Sequence, residues 1–222
     1  MGNVARYDGL AEWYRQFRPA LSGGEIEALD RLLGPGSGRC LDLGCGTGVS
    51  TAAVAELGWT AVGVDVSSDL LEAARADGLE VLEATADALP FEDAAFDAVV
   101  SVWTHTDIDH FPAAVAEAVR VVRPGGPLVY IGGHPCFVGP HSLFVGAESV
   151  PELHPGYRPS RAYDASAPGV GNPDGLRVRV DSVHLTLHDF FAAFTDAGLR
   201  IERFEELGDR DYPHVVALRA QR

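Results

Sequence analysis

The 222-residue sequence predicts an α/β fold built on a parallel, doubly wound sheet. Three observations predict it. The apolar run Cys40-Leu41-Asp42-Leu43 ends in glycines at alternate positions, Gly44, Gly46 and Gly48, and passes directly into a helix-compatible stretch over residues 49–58. Strand and helix signals then alternate through residue 132. Polar residues, Asp42, Asp65, Asp87 and Ser101, fall at or near the ends of four consecutive strands, where an open α/β sheet binds its ligands.

Taken in order, residues 5–18 mix aromatic and charged side chains, with Leu10, Trp13 and Phe17 on one helical face. They read as a cap packed on the core, or as a lid that brings Tyr7 or Tyr14 over a ligand. Ser22 is a plausible N-cap for a helix over 23–33 that turns Ile26, Leu29, Leu32 and Leu33 inward, and Gly34-Pro35-Gly36 ends it. Strands are expected near 39–43, 60–65, 79–83, 96–102 and 127–132, with helices near 48–57, 68–76 and 111–122. Residues 134–182 break this alternation. They are rich in proline, glycine, histidine and aromatics, and a segment this long inside a compact fold is usually functional or disordered. Its hydrophobic content favours a cover over a ligand pocket, with Phe137, Phe144, His154, Tyr157 and Tyr163 as possible pocket residues. Thr186 or His188 then starts a helix with Phe190, Phe191, Phe194 and Ala197 inward, capped by Gly198, and two strands follow near 199–206 and 214–220.

A glycine turn between strand and helix cradles several kinds of ligand. A Walker loop requires a lysine after its last glycine, and this chain has none: its 17 basic residues are all arginine. Lysine Schiff-base chemistry is excluded on the same ground. The dinucleotide fingerprint places its third glycine three residues after the second; here Gly48 comes two after Gly46, and Val49 stands at the fingerprint position.

The stretch Leu41-Asp42-Leu43-Gly44-Cys45-Gly46-Thr47-Gly48 closely resembles motif I of the class I S-adenosylmethionine-dependent methyltransferases. Val62-Gly63-Val64-Asp65 is similar to that family's second strand, Ala86-Asp87-Ala88-Leu89-Pro90-Phe91 to its adenine-side loop, Phe96-Asp97-Ala98-Val99-Val100-Ser101 to its fourth strand, and Arg123-Pro124-Gly125-Gly126 to the turn before its fifth. The five blocks keep the family's order over about residues 40–133 and point to its small-molecule group, UbiE-like and type 11-like. The resemblance implies a Rossmann-like, doubly wound seven-stranded sheet with the last strand antiparallel. One domain over 1–222 would then carry an N-terminal helical cap at 1–34 and an inserted cover at 134–182.

The resemblance also assigns roles. S-adenosyl-L-methionine is the expected cofactor and S-adenosyl-L-homocysteine its product. Asp65 would hold the ribose hydroxyls, with Val66 as a further cofactor-binding residue, although Asp65 also reads as an N-cap for the helix that begins at Ser67 or Ser68. Gly44, Cys45 and Gly46 form the cradle. Asp42 would hold the methionine ammonium directly or through water, or act only as a turn aspartate. Asp87 and the Ala88 amide would meet the adenine, or Asp87 would cap its own loop. Ser101 and Trp103 would border the methionine end, with Trp103 as pocket wall or plain core. Tyr7 and Tyr14 would close over the cofactor. His105 is the first candidate for a base, with a surface-loop histidine as the alternative; His134, near the end of the fifth strand, and His184, otherwise a structural histidine, are the others.

The bulk numbers narrow the partners. A formal charge of −15, from 32 acidic against 17 basic side chains with no basic cluster, repels phosphate backbones and excludes a nucleic-acid or anionic-membrane partner. Cys40, Cys45 and Cys136 form neither a metal-ligand pair nor an even disulfide set, and no apolar run is long enough for a signal peptide or a membrane span. The expectation is a cytoplasmic protein, monomeric or homodimeric, without a metal. Its partner is a small-molecule methyl acceptor methylated at oxygen or nitrogen. A carboxylate acceptor needs no base, whereas an alcohol or protonated amine does, and a histidine with a pKa of about 6.5 suits that task. A nicotinamide-dependent oxidoreductase on the same topology and a non-catalytic cofactor-binding regulator are the competing readings.

Overall fold

A computed structural model describes residues 5–145, 150–171 and 174–222. Met1 to Val4 of the expected cap, and residues 146–149, Asn172 and Pro173 of the expected cover, lie outside the described residues. The elements run α1 (Ala11–Phe17), α2 (Gly23–Leu32), β1 (Arg39–Leu43), α3 (Val49–Glu56), β2 (Thr60–Asp65), α4 (Ser68–Ala76), β3 (Val81–Glu83), β4 (Ala98–Val102), α5 (Phe111–Val121) and β5 (Pro127–Gly133). Then come β6 (Ser142–Val145), β7 (Val150–Leu153), β8 (Arg161–Tyr163), β9 (Ser182–His184), α6 (Leu187–Asp196), β10 (Arg200–Leu207) and β11 (Val215–Gln221).

Seven strands form the main sheet in the order β10-β11-β5-β4-β1-β2-β3. The five strands from β5 to β3 are parallel, and β11 runs antiparallel to both of its neighbours, as the family resemblance implies. The order reverses at β1 and β4, so the carboxyl ends of β1, β2 and β4 open onto one crevice.

The strand pleat divides the apolar residues between two cores. Leu41, Leu43, Val99, Leu128 and Tyr130 face α5 and α6, while Cys40, Val100, Val129 and Ile131 face α2 and α3. Because strands such as β4 are buried along their whole length, they read as continuous apolar runs.

Helix α2 begins with a capping box: Ser22 Oγ accepts from the Glu25 amide, and Glu25 returns the bond to the Ser22 amide at 2.7 Å. Its inward stripe differs from the expected one. Glu25, Ala28, Leu29 and Leu32 are buried at i, i+3, i+4 and i+7, which leaves Ile26 one position off the stripe and 50% exposed. In α6, Thr186 is the N-cap; Phe190 and Phe194 are buried, and Phe191 and Ala197 pack on the core edge.

Residues 134–182 hold more regular structure than their composition suggests, with β6–β7 and β8–β9 as two antiparallel pairs. The second pair is pinned beneath the β4–α5 connection, where the Val183 amide and Ser182 Oγ both donate to the Thr106 carbonyl at 2.8 Å.

Candidate functional site

The site starts from the turn after β1. Gly44 and Gly46 take φ of 76° and 53°, which side-chain-bearing residues rarely adopt, and the amides of Gly44 and Cys45 both donate to the Val64 carbonyl. This pins the turn to the end of β2, where Asp65 reaches back. One Asp65 oxygen accepts the Gly46 amide and the other accepts the Ser67 amide, each at 2.9 Å. Enclosure raises the Asp65 carboxyl above its ordinary value, while these backbone donors pull it back down. Ser67 is the N-cap of α4, so Asp65 remains aimed at the turn.

Above the turn lies a cleft that is partly open to solvent. Gly44, Gly46, Asp65, Val66 and Leu70 form one side, and Ala84 and Ala86 continue it beyond β3. Val102, Trp103, Thr104, Asp107 and Ile108 supply the opposite wall from the end of β4, and Arg6, Tyr7 and Tyr14 close it from the N-terminal segment. Tyr7 and Tyr14 meet edge to face with centroids 5.2 Å apart. Burial pushes the Tyr14 phenol up to about 12 and raises Tyr7 well above its ordinary range, with the nearby charge of Asp107 adding to both.

Trp103 reaches the cleft through an unusual backbone. Its φ is 59°, and its indole N–H donates to Glu25 while the Arg18 guanidinium lies 5.1 Å from the ring centroid. Arg18 also bonds Glu25 at 2.9 Å. The ion pair and both hydrogen bonds from Ser22 and Trp103 pull Glu25 down, outweighing its burial, which is the largest single influence and acts the other way.

Of the residues singled out in the sequence, Tyr7, Tyr14, Gly44, Gly46, Asp65, Val66 and Trp103 line this cleft. Three others lie under its floor. Asp42 is fully buried, Cys45 packs its sulfur towards Gly63, and Ser101 Oγ donates to the Leu43 carbonyl at 3.1 Å and contacts Thr104 Oγ1. Asp87 and Ala88 sit in the turn beyond Ala86, with the Ala88 amide donating back to Thr85 rather than lining the cleft.

The three histidines are outside the cleft lining. His105 is 1% exposed; its Nδ1 bonds the Tyr130 hydroxyl among Phe111 and Phe190, and burial pushes it down to about 3. His134 pairs with Glu206 through Nε2 at 3.1 Å, accepts the Cys136 amide on Nδ1, and is lowered by burial. His184 bonds the Tyr157 carbonyl at 2.8 Å beside His141, and burial lowers it to about 4.

Sequence reasoning passed over Arg6, Thr104, Asp107 and Arg177. Arg6 adjoins Tyr7, Thr104 adjoins Trp103, and Asp107 lies two residues after His105, so a wider window around these marked residues would have caught all three. Arg177 has no local signal. It pairs with Asp107 at 2.6 Å across 70 positions. Among the described residues there is no group of three or more His, Cys, Asp or Glu able to hold a metal, and no helix long and apolar enough to cross a membrane.

Residues 41–130 match a methyltransferase domain family. Curated relatives include the demethylmenaquinone methyltransferase of Mycobacterium marinum, 36% identical over 57% of this chain and 57% of that protein. The protein of the same name from Mycobacterium sp. strain KMS is 43% identical over the same shares. The chain thus spans little more than half the length of the curated relatives it matches. Among solved structures, an S-adenosylmethionine-dependent methyltransferase from Mesorhizobium loti superposes with a TM-score of 0.75 over 90% of this chain and 99% of that one, at 22% identity.

Proposed function

We propose that the chain, whose residues 41–130 match a methyltransferase domain family, is a class I S-adenosylmethionine-dependent methyltransferase that methylates oxygen or nitrogen of a small, neutral or weakly charged metabolite inside the cell, without a metal. The observation that carries the reading is the Asp65 carboxylate. Its oxygens accept the backbone amides of the glycine turn and the α4 cap, which fix the carboxylate in the cleft lining. A ribose diol is the natural partner of such a group.

The residues present fit the cofactor. Asp65 would hold its ribose, Gly44 and Gly46 would offer bare backbone, and Tyr7, Tyr14 and Leu70 would cover it. When bound, the cofactor supplies an electrophilic methyl on a sulfonium. The protein's task is then to align the acceptor with that methyl and keep water away. Tyr7, Thr104 and Asp107 are the polar groups that face the cleft on the side of the β4–α5 connection, and they are suited to receive or donate the acceptor's hydrogen bonds. The histidines sit behind the walls with depressed basicity, which favours an acceptor that reacts without a histidine base. A small-molecule acceptor is also supported by the relatives, which are named for demethylmenaquinone.

Calorimetric titration tests the reading. S-adenosylmethionine should bind the native chain, and Asp65→Ala should weaken it at least about ten-fold, the size expected for losing a hydrogen bond to a charged group. Unchanged affinity in the variant, or preferential binding of NADH, would overturn the cofactor placement. Labelled-methyl transfer to a panel of phenols, amines and carboxylates separates a catalyst from a binding protein.

A further inference from the structure

Arg177 belongs to the short turn Leu176–Val178 and reaches into the region of the cleft from far along the chain. Its guanidinium donates to Asp107 Oδ1 at 2.6 Å and to Thr106 Oγ1 at 2.7 Å, with a longer contact of 3.4 Å to Asp107 Oδ2. Both side chains are largely shielded, 20% and 19% exposed. Asp107 is also where the N-terminal segment arrives. Arg6 donates to the Asp107 carbonyl and pairs with Asp109, so Tyr7, the next residue, lines the cleft together with Asp107, whose charge helps keep the Tyr7 hydroxyl protonated. One short loop therefore gathers three distant pieces of chain: residues 6–7, the β4–α5 connection and the turn at 176–178. A second tie runs beside it, with the Arg179 guanidinium 4.6 Å from the Trp13 ring centroid.

We propose that Arg177 is a positioning residue for the cofactor cleft, which fixes the Asp107 carboxylate so that Asp107 holds Tyr7 across the cleft. The proposal rests on reading the cleft as an S-adenosylmethionine site. A guanidinium suits the task because its planar fork bonds two acceptors at once, here a carboxylate and a hydroxyl, and so sets orientation as well as charge. Tyr7 needs such an anchor. Helix α1, which follows it, has no fully buried residue, so packing alone holds the segment weakly. Without the cation, Asp107 would be a shielded carboxylate with weaker partners, and its cheapest response is to turn towards water, away from Tyr7.

A double-mutant cycle separates this role from a general loss of stability. S-adenosylmethionine is titrated calorimetrically into the full chain, Arg177→Gln, Tyr7→Phe and the double variant. Arg177→Gln should weaken binding about ten-fold in the native background, and less than about two-fold once Tyr7 has lost its hydroxyl. Arg177→Lys should recover part of the affinity, since an ammonium restores the charge but not the fork. Equal losses in both backgrounds, or no loss in either, would overturn the proposal. If Arg177→Gln lacks a native near-UV spectrum, Arg177→Lys takes its place in the cycle with the same criterion. A native chain that fails to bind S-adenosylmethionine would overturn the cofactor reading itself, a different and separately visible result.

Discussion

Thr51 donates its hydroxyl to Asp42 Oδ2 at 2.6 Å, and Ser50 donates to the same oxygen at 2.7 Å, which leaves Asp42 Oδ1 buried with no hydrogen-bond partner among the described residues. Burial pushes this carboxyl up from 3.8 to about 6, against the pull of the two hydroxyls. The folded chain therefore binds more protons than the unfolded one between those values, and stability falls as pH rises through that window. Asp42→Asn keeps an acceptor for Thr51 and Ser50 and removes the charge. Urea unfolding of the ligand-free protein should show the variant more stable at pH 8 by up to about 3 kcal/mol, with the gap closing towards pH 4. A gain of the same size at every pH would contradict this linkage.

The two cradle glycines should respond differently to alanine. At Gly46 a Cβ would meet Tyr14 and Leu70 at 3.7 and 3.8 Å, ordinary contact, so the cost is the left-handed backbone alone, about 1–2 kcal/mol. At Gly44 the same atom would stand 2.5 Å from Thr104 Cγ2, and Thr104 would have to move. Thermal melts should place Gly44→Ala below Gly46→Ala. The reverse order would show that the Thr104 wall yields freely.

His105 and Tyr130 form a polar pair inside an aromatic cluster. Depressed to about 3, His105 stays neutral in the fold while its unfolded counterpart protonates near 6.5, so stability is lost as pH falls from about 6.5. His184, lowered to about 4, acts in the same direction. Replacing His105 by Leu and Tyr130 by Phe together removes both polar partners and should flatten the acid limb of the stability curve. His105→Leu alone takes the imidazole partner from the buried Tyr130 hydroxyl and should cost about 1–3 kcal/mol at pH 7. Affinity for S-adenosylmethionine should survive in both; a large loss would place His105 in the site after all.

Glu25 links the N-terminal cap to the cleft wall through Trp103. Glu25→Ala removes the capping box, the Arg18 ion pair and the indole acceptor together, and leaves Arg18 without its carboxylate partner. A loss of about 2–4 kcal/mol is expected, with a change in tryptophan emission and weaker cofactor binding. Glu25→Gln keeps an acceptor for the indole and should lose less on each measure. Identical spectra and affinities for the two variants would remove Trp103 from the wall.

What was legible in the sequence was local. The order of strand, glycine turn and helix over residues 39–56 depends on neighbours, as does the cap at Ser22, and each emerges within a residue or two of its expected bounds. Asp65 could be placed because strand ends in a doubly wound sheet share one edge. His105 could not, because its direction depends on Trp103 two residues before it. The φ of 59° at Trp103 re-aims the chain just after β4, and no pattern announces that conformation for a tryptophan. His105 consequently enters the core beside Phe111 and Phe190, where a continuing loop would have left it at the surface. Arg177 was invisible for another reason, since its value arises only from a partner 70 positions away.

The place of β11 bears on how the chain is made. Residues 215–221 lie between β5 and β10 in the sheet, although β5 leaves the ribosome long before them. Until they emerge, β5 presents an open edge of apolar strand, a surface on which nascent chains pair wrongly. The strand that seals the sheet is thus made after every other strand in it, and a stall before residue 215 would release a chain with its cleft-forming half made and its flank exposed.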